Sequence, residues 1–274
     1  MKNNRIISFI KNVFKLFDLV EKVDENIINN KLMIKLICEQ LSGVQFYGQE
    51  LQDMYAYLWF KGKRDGFFID IGAYDGITIS NTYSLEKIGW KGICIEPVPD
   101  IYEKLRNNRK CECVNAALSN RRGGGHNKFI QTKGGRSGFT QNMNHKMLSA
   151  AKNEGIIAEI DIKTLTFDTL MEKYDSKYID FMSIDVEGSE IEILKTINFD
   201  KYKFGLITIE NNQSGKDEEQ LIPFMKSKGY KTLLNVGIDG SFYTYRYRCW
   251  NVLVERTKIT EGNINKKCQI ILYK

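Results

Sequence analysis

From residue 67 to residue 247 the chain alternates short β-branched or aromatic runs with longer amphipathic segments, and this alternation narrows the architecture more than any other feature. Runs at 67–71, 92–95, 111–117, 156–162, 179–184 and 205–209 read as strands. Segments at 80–88, 101–107, 167–174, 189–197 and 217–228 read as helices. Such a succession predicts an α/β domain: a mostly parallel sheet with helices on both faces. Two more strands, near 231–236 and 241–247, are separated only by turn residues around Gly237-Ile-Asp-Gly240. A gap that short demands a hairpin, so the sheet should end on an antiparallel strand.

A chain of 274 residues suits one large α/β core with an appended helical segment, and its 3 prolines leave no Pro-rich linker to divide it. Residues 1–45 read as an N-terminal helical extension broken at Ser42-Gly43, residues 46–248 as the main domain and 249–274 as a C-terminal extension. Ile6, Phe9, Ile10, Val13, Phe14, Phe17 and Val20 recur at helical spacing. Lys11, Lys15 and Asp18 interrupt that run, no small-residue cleavage site follows, and no apolar stretch is long enough to span a bilayer. An amphipathic helix packed on the domain or on a partner is expected, with peripheral membrane contact through its lysines as the second reading. Asp18, Glu21, Asp24 and Glu25 dilute the charge for that role.

The six cysteines show no disulfide framework. Cys94, Cys111 and Cys113 fall in strand-like runs, where thiols act as small buried hydrophobes, and a reducing, cytoplasmic compartment is expected. The net charge of +6 is modest and spread along the chain, and no RNA-recognition or zinc-finger spacing accompanies it. Nucleic acid is therefore not the expected partner. Oligomeric state is not encoded in any pattern here.

Three motifs carry the chemistry. Phe67-Phe-Ile-Asp-Ile-Gly-Ala-Tyr-Asp-Gly76 is a strand ending in an acid, followed by a glycine-spaced turn. Ligands of open α/β sheets bind beyond the carboxyl ends of the strands, and Gly72 and Gly76 would let the backbone approach one closely. The spacing D-x-G-x-x-x-G, with Asp70 at its head, suits a ligand bearing an amino group and a positive charge rather than a diphosphate. Next, Gly92-Ile-Cys-Ile-Glu-Pro97 ends a strand in Glu96, a carboxylate that can accept from both hydroxyls of a ribose. Taken singly, either acid could be only a cap for the following helix. The third motif, Ile184-Asp-Val-Glu-Gly-Ser-Glu190, crowds Asp185, Glu187 and Glu190 at another strand end. Glu190 reads as a helix-terminus residue and Asp185 as the functional candidate.

Phe68-Ile-Asp-Ile-Gly-Ala-Tyr-Asp-Gly76, Ser80-Asn-Thr82, Gly89-Trp-Lys-Gly-Ile-Cys-Ile-Glu-Pro97, Asn115-Ala-Ala-Leu-Ser119 and Ile184-Asp-Val-Glu-Gly-Ser-Glu190 together resemble the FkbM family of methyltransferases, in the family's order, from about residue 48 to about 247. The resemblance implies a Rossmann-like class I methyltransferase fold, a mostly parallel seven-stranded sheet with an antiparallel last strand. It implies S-adenosylmethionine as donor and a hydroxyl acceptor, on a sugar, a glycan or a small natural product. Carried over by position, Asp70, Gly72 and Gly76 would hold the methionine portion and Glu96, with Pro97, the ribose. Asn115 and Ala116 would lie by the adenine, Gln49 would approach the cofactor, and Asp185 would face the transferred methyl.

An alcohol needs its proton removed before it attacks, by a carboxylate or with the help of a metal. Asp185, Glu210 and Asn211 close two strands expected to be neighbours, and their oxygens suit magnesium or manganese, an arrangement similar to that of catechol-type O-methyltransferases. Gly188 stands where those enzymes place a lysine, which leaves Glu187 or one of the histidines, His126 and His145, as base. Residues 121–146, rich in glycine and in basic side chains, read as a lid at the acceptor site or as a mobile surface insertion. Three other functions share parts of this pattern: an RNA methyltransferase, a nicotinamide oxidoreductase, and a non-catalytic nucleoside-binding module. The oxidoreductase wants a third turn glycine where Tyr74 stands, and the binding module has no need of Asp185.

Overall fold

The computed structural model describes residues 27–119, 126–133, 137–140, 143, 145–175, 177–211, 216–238 and 249–256. The expected helix of residues 6–20, the glycines at 123–125 and the tail after 256 lie outside these. The described chain opens with α1 (Ile27–Ser42) and α2 (Gln52–Trp59), then runs β1 (Phe67–Ile71), α3 (Tyr83–Lys87), β2 (Lys91–Ile95), α4 (Pro99–Asn108) and β3 (Glu112–Val114). An inserted stretch follows: β4 (Ala117–Leu118), β5 (His126–Thr132), β6 (Gly138–Phe139), α5 (His145–Glu154) and β7 (Ile156–Leu165). The remainder is α6 (Phe167–Met171), β8 (Tyr178–Ile184), α7 (Glu190–Thr196), β9 (Lys203–Asn211), α8 (Lys216–Ser227), β10 (Tyr230–Ile238) and β11 (Cys249–Arg256).

Seven strands form the main sheet in the order β10-β11-β9-β8-β1-β2-β3. The pairs from β3 across to β9 are parallel, and β11 runs antiparallel to both β9 and β10. Alternation along each strand sends residues to opposite faces. Ile69 and Ile71, Ile93 and Ile95, Met182 and Ile184, and Ile207 and Ile209 bury one face against α6, α7 and α8, through Phe167, Leu170, Leu194 and Met225. Phe68, Cys94, Phe181 and Leu206 bury the other face against α1 to α4, through Ile34, Met54, Leu85 and Leu105.

On that second face a polar row crosses five strands. Registry places Cys113, Cys94, Asp70, Ser183 and Thr208 side by side. Two residues further along, the same strands carry Asn115, Glu96, Gly72, Asp185 and Glu210. The candidate residues thus arrive together because the strands end in step.

Three expectations need correction. The run at 111–117 is two strands in two sheets, because the Asn115 amide donates to the carbonyls of Glu96 (2.9 Å) and Pro97 (3.0 Å) and turns the chain out of the main sheet. The stretch read as a lid or loop contributes β5 and β6 to a second, four-stranded sheet of order β4-β7-β5-β6, and includes the start of α5. Finally, 249–256, expected to belong to a C-terminal extension, is an antiparallel strand of the main sheet, and the strand expected at 241–247 lies outside the described residues. The domain limit expected at 248 therefore falls just before a strand of the main sheet.

Candidate functional site

A cleft of about 330 Å³ opens at the carboxyl ends of β1, β2, β8 and β9. Among the described residues, its titratable lining is Asp70, Tyr74, Glu96, Asp185, Glu187 and Glu210. Among the described residues no Lys, Arg, His or Cys lines it. A cleft holding five acidic side chains and, among the described residues, no cationic one favours cations and repels phosphates.

Asp70 is 3% exposed and accepts a hydrogen bond from the Thr82 hydroxyl at 2.6 Å. That hydroxyl oxygen accepts in turn from Arg109 Nη2 at 3.0 Å. Arg109, unforeseen in the sequence, is the hub of this corner. It pairs with Glu86 at 2.7 Å, donates to the Gly76 carbonyl at 3.1 Å and reaches the Ser80 hydroxyl at 3.3 Å. Burial pushes the Asp70 carboxyl up to about 6, while Thr82 and Arg109 pull it back and Asp185 pushes it further up.

The two motif glycines differ. Gly72 lines the cleft with φ +87°, and a Cβ there would sit 1.7 Å from the Asp185 carbonyl oxygen. Close passage of two strand ends, not only ligand approach, requires the glycine. Gly76 is not among the lining residues. Its φ is +82°, and an added Cβ would meet Leu105 at 2.6 Å and Arg109 at 2.7 Å.

Glu96 accepts from the backbone amides of Tyr74 (3.1 Å) and Val98 (2.9 Å), so its carboxylate is held by the turns on either side of the cleft. Pro97, Ala116 and Gln49 line the cleft, whereas Asn115 stands behind it and braces the Glu96-Pro97 turn. Gln49 is steadied by its neighbours: buried Asp53 accepts from the amides of Tyr47 (2.7 Å) and Gly48 (3.1 Å). Of the five non-glycine residues with left-handed φ among the described residues, Tyr74, Ile79 and Glu187 line the cleft, and such strain concentrates at functional sites.

Burial pushes Glu96 up to about 8. A carboxyl raised in the folded state binds more protons folded than unfolded. Its contribution to stability is complete below the ordinary value of 4.5 and lost as pH rises through about 8. Glu96→Gln, which never ionises, should therefore gain several degrees of melting temperature on wild type between about pH 5 and about pH 9. A difference that stays constant across that range would show that Glu96 keeps an ordinary pKa.

Asp185, Glu187 and Glu210 each offer one carboxylate oxygen, all within 4.8 Å of one another. Burial raises the pKa of both Asp185 and Glu210, and the two share a hydrogen bond. Glu190 instead accepts from the amides of Val186 (3.2 Å) and Gly188 (3.0 Å), the terminus role expected of it. The oxygen cluster thus contains Glu187, which the sequence reading had offered only as a base. The side chain of Asn211, the third ligand expected, lies outside the described residues. His145 is exposed at the start of α5 and does not line the cleft; the side chain of His126 is not described.

The second sheet forms the far wall. Phe129, Ser137 and Phe139 line the cleft, the two rings meeting edge to face at 5.4 Å and 85°. A Cβ on Gly138 would lie 3.3 Å from the Glu187 carbonyl, so β6 rests on the carboxylate turn. The sequence reading set residues 121–146 at the acceptor site but did not foresee that they form β5 and β6. The one signal for them, the adjacent apolar pair Phe129-Ile130 of β5, lay beside a glycine-rich interval.

The strand order, with an antiparallel strand set between the last two parallel ones, defines a class I methyltransferase fold. Residues 70–232 match the methyltransferase FkbM domain, and the chain belongs to that family. No curated protein sequence matches it. Among solved structures it is similar to TrmK of M. capricolum in complex with S-adenosylhomocysteine, at 12% identity and TM-score 0.41 over 78% of this chain and 73% of that one. It is similar also to the METTL16 methyltransferase domain (8%, TM-score 0.45, 81% and 77%) and to precorrin-6y C5,15-methyltransferase of Geobacter metallireducens (13%, TM-score 0.39, 76% and 89%). At such identities none of them identifies the acceptor. Among the described residues no helix is long and apolar enough to cross a membrane, and Cys38, Cys94, Cys111 and Cys113 are free thiols.

Proposed function

We infer that this chain is an S-adenosylmethionine-dependent O-methyltransferase acting on a hydroxyl of a sugar, a glycan or a small natural product. The observation that carries the reading is the line of carboxylates at the ends of adjacent strands, buried Asp70 and Glu96 on one side and half-buried Asp185, Glu187 and Glu210 on the other. Asp70 suits the ammonium of the methionine portion, with Gly72 at its backbone, and Glu96 suits the ribose hydroxyls. Pro97, Ala116 and Gln49 complete that wall, while Gly76 and Asn115 act through the turns they brace.

S-adenosylmethionine, when bound, supplies an electrophilic methyl on a positively charged sulfur. The chain must then orient the acceptor oxygen in line with that methyl, exclude water and accept a proton. With no histidine or lysine lining the cleft among the described residues, a carboxylate of the Asp185, Glu187 and Glu210 cluster is the base at hand. The same oxygens fit magnesium or manganese, either of which would acidify a bound hydroxyl; Asp185 and Glu210 would hold it with Glu187. Phe129 and Phe139 offer the acceptor an aromatic wall. A carboxylate-lined cleft speaks against RNA as acceptor and against a nicotinamide diphosphate as cofactor.

S-adenosylhomocysteine should bind and raise the melting temperature, and Asp70→Ala should weaken that binding by about ten-fold or more. Calorimetry on folded wild-type protein that registers no binding rejects the cofactor. Methylation of a hydroxyl-bearing extract, assayed in chelator and then with magnesium or manganese added back, separates the two proton-removal schemes. Full turnover in chelator, with Asp185→Asn inactive, leaves a metal-free base.

A further inference from the structure

Asn81 sits on the turn between β1 and α3 and lines the cleft beside Asp70 and Ser80, although only 8% of it is exposed. Its amide nitrogen donates to the Ser183 hydroxyl at 2.9 Å. Ser183 is the registry neighbour of Asp70 on β8, so this bond places the Asn81 amide next to Asp70 and fixes its plane. The other end of the amide has no such tie. The buried Asn81 oxygen finds no hydrogen-bond partner among the described residues.

Buried acceptors are nearly always satisfied, and one left over in the wall of a cleft marks where a ligand donor belongs. The donor's chemistry follows from its surroundings. Asp70 lies alongside, and among the described residues no basic side chain lines the cleft. A donor set between a carboxylate and an amide oxygen is best served by a primary ammonium, whose three N–H groups can reach both acceptors and a third. Asp70 is itself aimed by the Thr82 hydroxyl, which Arg109 holds from behind.

We propose that the Asn81 amide oxygen binds the α-ammonium of the amino-acid end of the methyl donor together with Asp70, and so selects ligands that carry that end. The assignment rests on the cleft being the S-adenosylmethionine site. Asn81 is then a binding residue rather than a structural one, and the Ser183 hydroxyl is its positioning partner.

Two probes differ in the amino-acid end alone: S-adenosylhomocysteine carries its α-ammonium and α-carboxylate, and 5′-methylthioadenosine is the same nucleoside thioether without them. Titration calorimetry of both against wild type, Asn81→Ala and Asn81→Asp tests the proposal. Asn81→Ala should lose about ten-fold or more of its affinity for S-adenosylhomocysteine while its affinity for methylthioadenosine moves less than about two-fold. Asn81→Asp, which retains an acceptor oxygen at that point, should keep the wild-type preference for S-adenosylhomocysteine. Equal losses for both probes in Asn81→Ala, or no loss for either, overturn the proposal. A collapse of the preference in Asn81→Asp also overturns it, and that arm decides alone if Asn81→Ala does not fold. Wild-type protein that binds neither probe rejects the cofactor site itself. Wild-type protein that binds methylthioadenosine but gains nothing from the amino-acid end rejects only the role of Asn81.

Discussion

Gly72→Ala is expected to cost about 4 kcal/mol or more, enough to leave little folded protein at ordinary temperature. The added carbon would lie 1.7 Å from the carbonyl oxygen of Asp185 and 2.8 Å from its carbonyl carbon, and both belong to backbone that cannot swing aside. The left-handed φ of +87° adds strain for any residue with a side chain. Gly43→Ala is the internal control. Its φ is +67° with nothing within 4 Å of the added carbon, so it isolates the conformational cost, about 1 kcal/mol. Thermal melting of the two variants side by side measures the clash by difference. Equal melting temperatures would mean that the ends of β1 and β8 can part, and that the cleft floor is looser than the registry of these strands implies.

Removing the Arg109 side chain should be nearly as damaging. Its guanidinium is fully buried and its partner Glu86 is 10% exposed, so Arg109→Ala strands a carboxylate away from water and leaves the Gly76 carbonyl, the Ser80 hydroxyl and the Thr82 hydroxyl without their donor. Breaking a buried pair on one side costs about 3–5 kcal/mol. The ring contacts with Phe68 and Tyr83, at 5.4 and 5.5 Å, are lost as well. Lys195, whose pair with Glu192 is about half exposed on each side, provides the comparison, and Lys195→Ala should scarcely move a urea denaturation midpoint. Arg109→Lys should fall between the two, because a lysine keeps the charge but not the planar fork that serves several acceptors at once. An Arg109→Ala midpoint matching that of Lys195→Ala would show that the network is replaceable by water.

How much of this could be read from residues alone depended on the range over which each feature is decided. β1, β2, β8 and β9 are apolar runs bounded by turn chemistry, and Asp70, Glu96 and Asp185 at their ends were legible because parallel strands bring their carboxyl ends to one side. The second sheet was not. Ala117 pairs with Thr164, and Phe129 with Ile160, across an interval whose glycines read locally as loop. Arg109 was invisible for a related reason. It lies just past α4, amid Asn107, Asn108 and Lys110, where it reads as a solvated charge, and only the packing of α4 under the β1 turn buries it. Gly76 and Asn115 were read as ligand contacts because their motif positions are adjacent to the cleft. The packing of Gly76 against Leu105 and Arg109, and the bonds of the Asn115 amide to the Glu96 and Pro97 carbonyls, set them behind it and are tertiary facts. Likewise Asn81 stood in a recognisable block, yet an orphaned oxygen can be seen only when every neighbour has been placed.

The position of β11 has a consequence for the order of events during synthesis. β9 and β10 leave the ribosome before it, yet neither can complete its pairing until 249–256 has emerged and slid between them. Until then the growing chain presents β9, an apolar strand, with one row of amide and carbonyl groups unpaired, a state open to pairing with other chains. β11 closes the gap from within the sheet rather than from its rim, and a chaperone that shields exposed strands would matter most over the interval in which 249–256 is being made.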